Sequence, residues 1–453
     1  MTEKAISEKN AGAIENYLAF LAEVFRLRLT SCFQPEQGEP RFDGVLKIVR
    51  AEKEAGFSSF VSSHGLSSEE VLVLLMALAP HVKPAFFDQL IQQQLPQSGD
   101  FPQLGGQRGT QFRGFLPSGE TVLFLLAGDN LHKRFEYSRL FGNDHVFSKK
   151  GIVWLDKPVP GEPVLSGKLI MGAEYLELFI QGHVSRPKMG MDFPAEFITT
   201  ELTEEDLVLP PETMQQIREV ENWVLHQNTL MKEWNMKRWI KPGYRALFYG
   251  PPGTGKTLSA MILGKKTGRD VFRVDLSMVV SKFIGETEKN LSQLFDRADN
   301  KDWILFFDEA DALFGKRTNV RDAHDKYANQ EVSYLLQRVE MHNGLVILAS
   351  NQKSIIDEAF NRRFQSVVWF PAPGPHDRLQ LWKKVLPHHD GIRTPSDAEL
   401  LTLAKKYEMT GAGIVNVVQY CCLETLAGGS REITLGSLQK GIEREYMKEG
   451  KVF

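Results

Sequence analysis

Cysteine is scarce in this sequence, since the 453 residues include only Cys32, Cys421 and Cys422. Three cysteines are too few for a disulfide framework, and the adjacent pair at 421 and 422 lacks the spacing of zinc ligands. The composition therefore excludes a disulfide-stapled secreted domain and a cysteine zinc site. We expect the chain to reside in a reducing cytoplasm.

The sequence also lacks an excess of basic charge and a long apolar run. Lys and Arg number 54 against 57 Asp and Glu, a net charge of −3, so no overall basic field attracts nucleic acid. The apolar run at residues 122–127 is far too short to span a membrane, and the polar N-terminus carries no signal-peptide core. We therefore expect neither a membrane nor a nucleic acid as partner.

The clearest motif is Gly-Pro-Pro-Gly-Thr-Gly-Lys-Thr at residues 250–257, which fits the pattern G-x-x-x-x-G-K-[ST]. The apolar residues 245–249 predict a buried strand before it, and residues 258–263 predict a helix start after it. Strand, glycine loop and helix form the context in which this pattern binds phosphate, through backbone N–H groups and the helix dipole. The alternative is a glycine-rich turn that matches by chance.

In this phosphate loop, Lys256 is expected to reach the β- and γ-phosphates of ATP, and the Thr257 hydroxyl is expected to hold Mg²⁺. The full set of predicted ATP contacts is Pro252, Gly253, Thr254, Gly255, Lys256, Thr257, Leu258 and Asp308.

Polar side chains follow two further predicted strands. Residues 303–307 end in Asp308 and Glu309, and residues 345–350 end in Asn351. The C-terminal ends of parallel strands are where α/β sheets bind ligands. Asp308 is therefore predicted to hold Mg²⁺, Glu309 to orient and polarise the attacking water, and Asn351 to contact both the γ-phosphate and that water. The alternatives are a strand that stops at charged residues and an ordinary turn asparagine.

The rest of the chain predicts three regions: an N-terminal recruitment region at 1–200, an α/β domain at 201–371 and a helical domain at 372–453. Residues 14–25 predict an amphipathic helix that faces a core or a partner. Residues 145–155 predict a hairpin, so the N-terminal region is mainly helical with a winged-helix-like part, whose tip lysines face solvent or DNA. Residues 187–201 are predicted to be a linker.

Together these motifs resemble an AAA+ ATPase module, close to the AAA proteins proper, over residues 205–450. Residues 250–257 resemble Walker A, residues 304–311 Walker B, and Asn351 sensor 1. Arg362 and Arg363 match the arginine fingers, which in this family enter the neighbouring subunit's site. The resemblance implies an α/β P-loop NTPase with a doubly wound parallel sheet and a C-terminal helical lid. It also implies a homo-oligomeric ring, a hexamer by family.

The same resemblance implies work on a protein client. Lys282, Phe283 and Ile284 resemble the first pore loop, in which an aromatic residue grips a polypeptide; the alternative is a core phenylalanine at 283. The lid sequence at 410–413 lacks a sensor-2 arginine, as in AAA proteins proper, so contact with ATP there is expected through backbone and small residues.

The whole arrangement, including the polar residues 323–329, is similar to bacterial AAA ATPases encoded beside extracellular contractile injection systems. We expect ATP-driven remodelling of a protein partner, with injection-system components as candidates. The alternatives are a slowly hydrolysing nucleotide-dependent scaffold and a nucleic-acid motor. Because residues 361–364 are shorter than the family's usual finger motif, the choice between Arg362 and Arg363 as the main finger stays open.

Overall fold

The computed structural model describes residues 3–33, 56–95, 101–190, 193–279, 286–299, 301–311, 333–351, 362–389, 391–448 and 450. The chain divides into two units, Met1–Arg186 and Pro187–Phe453, and each has its own apolar core. This division falls before the boundary predicted at residue 200.

The first unit is mainly helical. Its described helices are α1 (Glu3–Phe33), α2 (Gly56–His64), α3 (Ser68–Val82), α4 (Phe86–Gln94), α5 (Gly119–Ala127), α6 (Leu131–Ser138), α7 (Val146–Lys149) and α8 (Ala173–Gln181). Two short antiparallel pairs join β1 (Gln107–Arg108) to β2 (Phe115–Leu116) and β3 (Val153–Leu155) to β4 (Leu169–Met171).

Helix α3 lies at the centre of this core, because every residue from 71 to 79 is buried. It begins at a capping box: the Ser67 hydroxyl accepts from the N–H of Glu70, and the Glu70 carboxylate accepts from the N–H of Ser67. No single described helix is long and apolar enough to cross a bilayer. Helices α3 and α4 meet that test only as a pair, and the chain bends by 105° between them.

The predicted amphipathic helix at residues 14–25 is confirmed as a core-facing part of α1. Its buried side chains are Ile14, Tyr17, Leu18, Leu21, Val24 and Phe25. This stripe packs inside the unit and is not a free face for a partner.

The hairpin predicted at residues 145–155 is wrong. The Nδ1 atom of His145 accepts a hydrogen bond of 3.3 Å from the N–H of Phe147, which starts the helical turn α7 instead of a strand. Strand β3 then pairs with β4, a segment that the sequence pattern does not indicate as a strand. The winged-helix interpretation therefore lacks the hairpin that it required. Lys149 ends the helical turn α7, and neither Lys149 nor Lys150 lies at the tip of a hairpin.

A mostly parallel sheet forms the centre of the second unit. Its described strands are β5 (Ala195–Ile198), β6 (Tyr244–Tyr249), β7 (Val271–Val274), β8 (Ile304–Phe307), β9 (Leu345–Ser350) and β10 (Ser366–Trp369). Their order is β10–β6–β9–β8–β7–β5, and every pair is parallel except β7 with β5. The apolar runs at residues 245–249, 271–275, 303–307, 345–350 and 367–370 each predict one of the five parallel strands, so the predicted α/β fold is confirmed.

Helices cover both faces of this sheet. The described helices are α9 (Pro211–Asn228), α10 (Lys256–Thr267), α11 (Leu276–Val279), α12 (Glu286–Ala298), a helical segment at 333–341, and α13 to α16 (Pro375–Val385, Asp397–Lys406, Gly411–Ala427 and Leu435–Lys448). Side chains of α9 and α10 pack in one core cluster, and those of α12 and residues 335–339 pack in another. Helices α13 to α16 enclose a separate core around the buried Trp382, as the predicted helical lid requires.

Strand β5 corrects the linker predicted at residues 187–201. Residues Ala195–Ile198 pair antiparallel with β7, from Ala195 opposite Val274 to Ile198 opposite Val271. A strand of four residues gives little periodic signal, and its hydrogen-bond partner lies far along the chain. The segment therefore belongs to the edge of the sheet.

Candidate nucleotide site

The phosphate loop runs from the end of β6 into the start of α10. Gly250 has a φ of 150°, and a Cβ atom there would lie 2.0 Å from the carbonyl oxygen of Phe370, so only glycine fits. Helix α10 begins after Gly255, and no side chain caps its first turn. The N–H groups at this helix start are therefore directed into the loop, as an anion site requires.

Lys256 is buried at the base of this loop, with 7% of its surface exposed. Its Nζ atom donates to the carbonyl oxygens of Gly250 (2.7 Å) and Pro251 (2.9 Å) and to Oδ1 of Asn351 (3.0 Å). Burial lowers the pKa of the Lys256 ammonium, and the nearby carboxylates of Asp308 and Asp311 oppose that shift. Because these three direct partners are neutral oxygens, the ammonium is suited to an incoming anion.

The two oxygens expected to hold Mg²⁺ lie side by side. The Oγ1 atom of Thr257 is 3.5 Å from Oδ2 of Asp308, although Thr257 lies in α10 and Asp308 follows β8. Hydroxyl and carboxylate oxygens are ligands that Mg²⁺ takes together with water and phosphate oxygens. Among the described residues, no three His, Cys, Asp or Glu side chains form a metal site by themselves. The oxygens of Thr257 and Asp308 fit a Mg²⁺ ion whose other ligands are water and phosphate oxygens.

Glu309 is exposed and has an unusual backbone conformation, with a φ of 49°. Its N–H donates to Oδ1 of Asp308 (3.0 Å), which fixes the turn after β8. A non-glycine residue in the left-handed region costs free energy and is often found where a side chain must be aimed at a ligand.

Asn351 joins the end of β9 to the same site. Its N–H donates to Oδ1 of Asp311 (3.3 Å), while its side-chain oxygen accepts from Lys256. Strands β6, β9 and β8 are neighbours in the sheet. Their C-terminal ends therefore bring together the loop lysine, the asparagine and the two acidic residues that the sequence places apart.

These residues line one wall of a cavity of about 460 Å³. Every predicted ATP contact, Pro252 to Leu258 with Asp308, lies on this cavity, as do Glu309 and Asn351. The lid supplies a second wall, and the N–H of Ala412 donates to the carbonyl oxygen of Gly253 (3.2 Å). The expected contact through the backbone and small residues of the lid thus has its counterpart in Gly411 and Ala412.

Two parts of the cavity were missed by sequence reasoning. One is the extended segment before α9, represented by Leu202 and residues 206–210. The other is the face of α13 that carries Asp377, Leu381 and Val385. The apolar sequence Leu-Val-Leu-Pro at 207–210, just before a helix start, is the signal that points to the first; the second depends on how the lid folds back.

Arg362 and Arg363 do not line this cavity. They border a separate hollow of about 580 Å³ with Trp223, Lys241 and Glu340. The Nε atom of Arg363 is 3.0 Å from Oε1 of Glu340. The predicted pore-loop residues Lys282, Phe283 and Ile284, and the polar residues 323–329, lie outside the described residues.

Comparison with known proteins agrees with this geometry. Residues 246–372 match the model of the family described as "ATPase family associated with various cellular activities (AAA)". This segment contains the phosphate loop, the acidic residues after β8, Asn351 and the arginine pair. This part of the chain is therefore similar to an AAA domain and has the α/β fold of one.

The curated relatives are each similar over about half of the chain. The proteasome-activating nucleotidase of Aeropyrum pernix is 33% identical over 213 residues, 45% of this chain and 51% of that protein. The cell division cycle protein 48 homolog of Archaeoglobus fulgidus is 30% identical over 241 residues, 52% and 31% of the two chains. The vesicle-fusing ATPase of Arabidopsis thaliana is 33% identical over 222 residues, 45% and 29%. The chain thus spans about half the length of these relatives or less.

Among solved structures, the match to a crystal structure of the FIGL-1 AAA domain covers 55% of this chain and 85% of the chain in that structure. Its TM-score is 0.42 and its sequence identity 20%.

Proposed function

We propose that this chain hydrolyses ATP with Mg²⁺. The observation that carries the proposal is the convergence of Lys256, Asp308, Glu309 and Asn351, from three neighbouring strand ends, on one cavity beside an uncapped helix start. A buried cation, two magnesium-type oxygens and a carboxylate on one cavity are the components that phosphoryl transfer needs.

Each side chain then has a distinct role. Lys256 and the N–H groups of the loop hold the phosphates, and Thr257 with Asp308 holds Mg²⁺, which supplies neutralising charge when bound. Glu309 orients the attacking water and takes up its proton, and Asn351 positions that water against the phosphate. Catalysis of this kind depends mainly on positioning and charge neutralisation.

We also propose that the working unit is a homo-oligomeric ring, a hexamer by family. Arg362 and Arg363 are exposed and lie away from the cavity of their own chain, which suits residues that serve a neighbouring site. An arginine finger contributed in trans raises turnover by about 10³–10⁵-fold.

The proposed task is remodelling of a protein partner in the cytoplasm. The relatives' names include proteasome activation, and the proteasome is itself a protein. Phe283 in a pore loop is the proposed contact with the client. On the narrower sequence likeness, we propose components of a contractile injection system as that client.

Phosphate release from Mg·ATP by the purified full-length chain tests the proposal, with Glu309→Gln as the matched variant. We expect turnover by the parent chain, and ATP binding without turnover by the variant. Equal rates would refute the role of Glu309, and absence of turnover by assembled parent protein would favour a nucleotide-dependent scaffold.

The client is tested with the same variant in cells. Glu309→Gln should retain ATP and therefore hold its protein partner, which mass spectrometry then identifies. Recovery of injection-system components would support the narrower proposal, and their absence among trapped proteins would contradict it.

Phe283→Ala should keep the ATPase rate but lose remodelling.

A further inference from the structure

Beyond the phosphate loop, the cavity is bounded by the segment before α9 and by lid helix α13. The segment contributes Leu202 and residues 206–210, and α13 contributes Asp377, Leu381 and Val385. A nucleotide in the cavity lies between these two walls, so its release depends on how they are held together. The contacts of each wall therefore decide which side chains control release.

The segment is fastened to the body of the domain by basic side chains of α9 and α10. Lys265 donates from Nζ to the carbonyl oxygens of Glu201 (2.9 Å) and Leu202 (3.3 Å). Lys266 forms an ion pair with Glu204 (2.5 Å), and Arg218 contacts the same carboxylate (3.4 Å). These contacts join the segment to α9 and α10 and do not involve the lid.

The turn that faces the lid is also ordered internally. The carboxylate of Asp206 accepts from the N–H (2.8 Å) and the hydroxyl (3.0 Å) of Thr203. These hydrogen bonds lower the pKa of Asp206, and the ammonium groups of Lys384 and Lys265 contribute to the same shift. The carbonyl group of Glu205, inside this turn, is thereby presented in a fixed direction.

Lys384 of α13 bridges the two walls. Its Nζ atom donates to the carbonyl oxygen of Glu205 at 2.5 Å. Lys384 lies three residues after Leu381 and directly before Val385, both of which line the cavity. A second hydrogen bond from the lid to the body, from the N–H of Ala412 to the carbonyl oxygen of Gly253, lies at the phosphate loop. The lid is thus fastened at two ends of the cavity.

We infer that Lys384 is a positioning residue that holds the lid against segment 202–210 and slows the release of bound nucleotide. This inference rests on the proposed nucleotide function of the same cavity. It assigns to one exposed lysine an effect on affinity and release, and none on the chemical step, because Lys384 does not line the cavity.

The neighbouring residue provides a matched control. Lys383 is a partly exposed lysine of the same helix, but its Nζ atom contacts Oδ2 of Asp397 (2.6 Å), within the lid. Lys384→Met and Lys383→Met remove the same charge from the same helix turn. Only the first removes a contact between the lid and the segment.

The experiment measures release of a fluorescent ADP analogue, mant-ADP with Mg²⁺, from the full-length chain by stopped flow. Lys384→Met should release it about fivefold faster than the parent, as expected from the loss of one hydrogen bond with a charged donor at the surface. Lys383→Met should release it at the parent rate, and Lys384→Arg should restore slow release. In phosphate-release assays Lys384→Met should raise KM more than it changes kcat.

Parent-rate release from a folded Lys384→Met variant would overturn the inference, as would equal acceleration by Lys383→Met. A melting temperature within a few degrees of the parent establishes folding for each variant. Failure of the parent chain to bind the analogue would overturn the proposed function together with this inference. Binding by the parent with no difference among variants would overturn this inference alone.

Discussion

Lys256 donates a hydrogen bond of 3.0 Å from its Nζ atom to the Oδ1 atom of Asn351, which joins the phosphate loop to the end of β9. The asparagine is itself held through its N–H by Asp311. A phosphate that binds in the cavity competes with Asn351 for hydrogen bonds from this ammonium. The contact of the Asn351 side chain with Lys256 is therefore expected to change when the cavity fills. The two residues are separated by most of the α/β domain in sequence and meet only because β6 and β9 are neighbours.

The first prediction separates binding from hydrolysis at this pair. Lys256→Ala should abolish turnover and sharply weaken ATP binding, because it removes the central cation from the phosphates. Asn351→Ala should change affinity little, since Lys256 keeps its two carbonyl partners, yet lower turnover about 10²-fold through the loss of an oriented polar group. Titration with mant-ATP and phosphate release measure the two effects. Asn343→Ala, an exposed asparagine before the start of the same strand, is the control, and equal effects at 343 and 351 would contradict the assignment.

The second prediction concerns the arginine pair. Arg362→Ala or Arg363→Ala should lower turnover about 10³-fold while ATP affinity stays near the parent value, because the group acts on a neighbouring site. Folding should survive, since the ion pair of Arg363 with Glu340 is at the surface and such pairs contribute about 0–1 kcal/mol. Assays of each single variant also decide which arginine contributes more.

Mixing two inactive variants tests whether the arginines act on the site of a neighbouring subunit. A ring assembled from an arginine variant and Lys256→Ala contains some interfaces with an intact phosphate loop and an intact arginine. Activity should therefore exceed that of either variant alone. If mass measurements show mixed rings and activity stays at the level of the single variants, the arginines do not act across an interface.

The third prediction uses the thiol of Cys421. Burial raises its pKa to about 11, and its Sγ atom donates to the carbonyl oxygen of Ser437 (3.2 Å), which joins α15 to α16. Iodoacetamide at pH 8 should therefore modify the half-buried Cys32 and Cys422 well before Cys421 in the folded chain. Peptide mass mapping measures the order, with the urea-unfolded chain as control. Fast labelling of Cys421 in the folded protein would contradict its burial.

The raised pKa of Cys421 also makes the free energy of unfolding depend on pH. Because the folded-state pKa lies above the ordinary value of 9.0, the folded chain keeps a proton that the unfolded chain loses. The contribution of this thiol to the free energy of unfolding is complete below about pH 9 and is lost as the pH rises through 11.

The five parallel strands and the cavity residues of the loop were predictable because each depends on local sequence. An apolar run between turn residues specifies a buried strand, and the loop motif with its flanking elements specifies a phosphate site. The side chains after β8 and β9 follow from the rule that parallel strands present their ends at one edge.

The failures have two physical causes: partners distant in sequence for β5 and the lid contact, and local turn contacts for α7 and Glu309. Strand β5 exists through its pairing with β7, and α7 replaces a strand because one histidine caps the following turn. The positive φ of Glu309 depends on the turn that Asp308 stabilises. The contact of Lys384 with Glu205 requires a folded lid, and no local pattern encodes it.

The last prediction concerns the other fastening of the lid, at Gly253. Its φ is 74°, and a Cβ atom there would lie 2.8 Å from Oγ1 of Thr410 and 2.9 Å from Cβ of Ala412. Gly253→Ala should therefore force the lid away from the phosphate loop and weaken mant-ADP binding about tenfold or more, in addition to about 1 kcal/mol of backbone strain.

Backbone strain and displacement of the lid are separable with two further variants. Gly268, after the last residue of α10, also has a positive φ of 66°, but a Cβ atom there meets nothing within 4 Å. Gly268→Ala should thus lower the melting temperature by a similar amount and leave mant-ADP affinity unchanged. Ala412→Gly removes the methyl group that the new Cβ atom meets, so the double variant Gly253→Ala with Ala412→Gly should recover part of the affinity and none of the strain. If the double variant binds no better than Gly253→Ala, the loss of affinity comes from the loop itself and not from its contact with the lid.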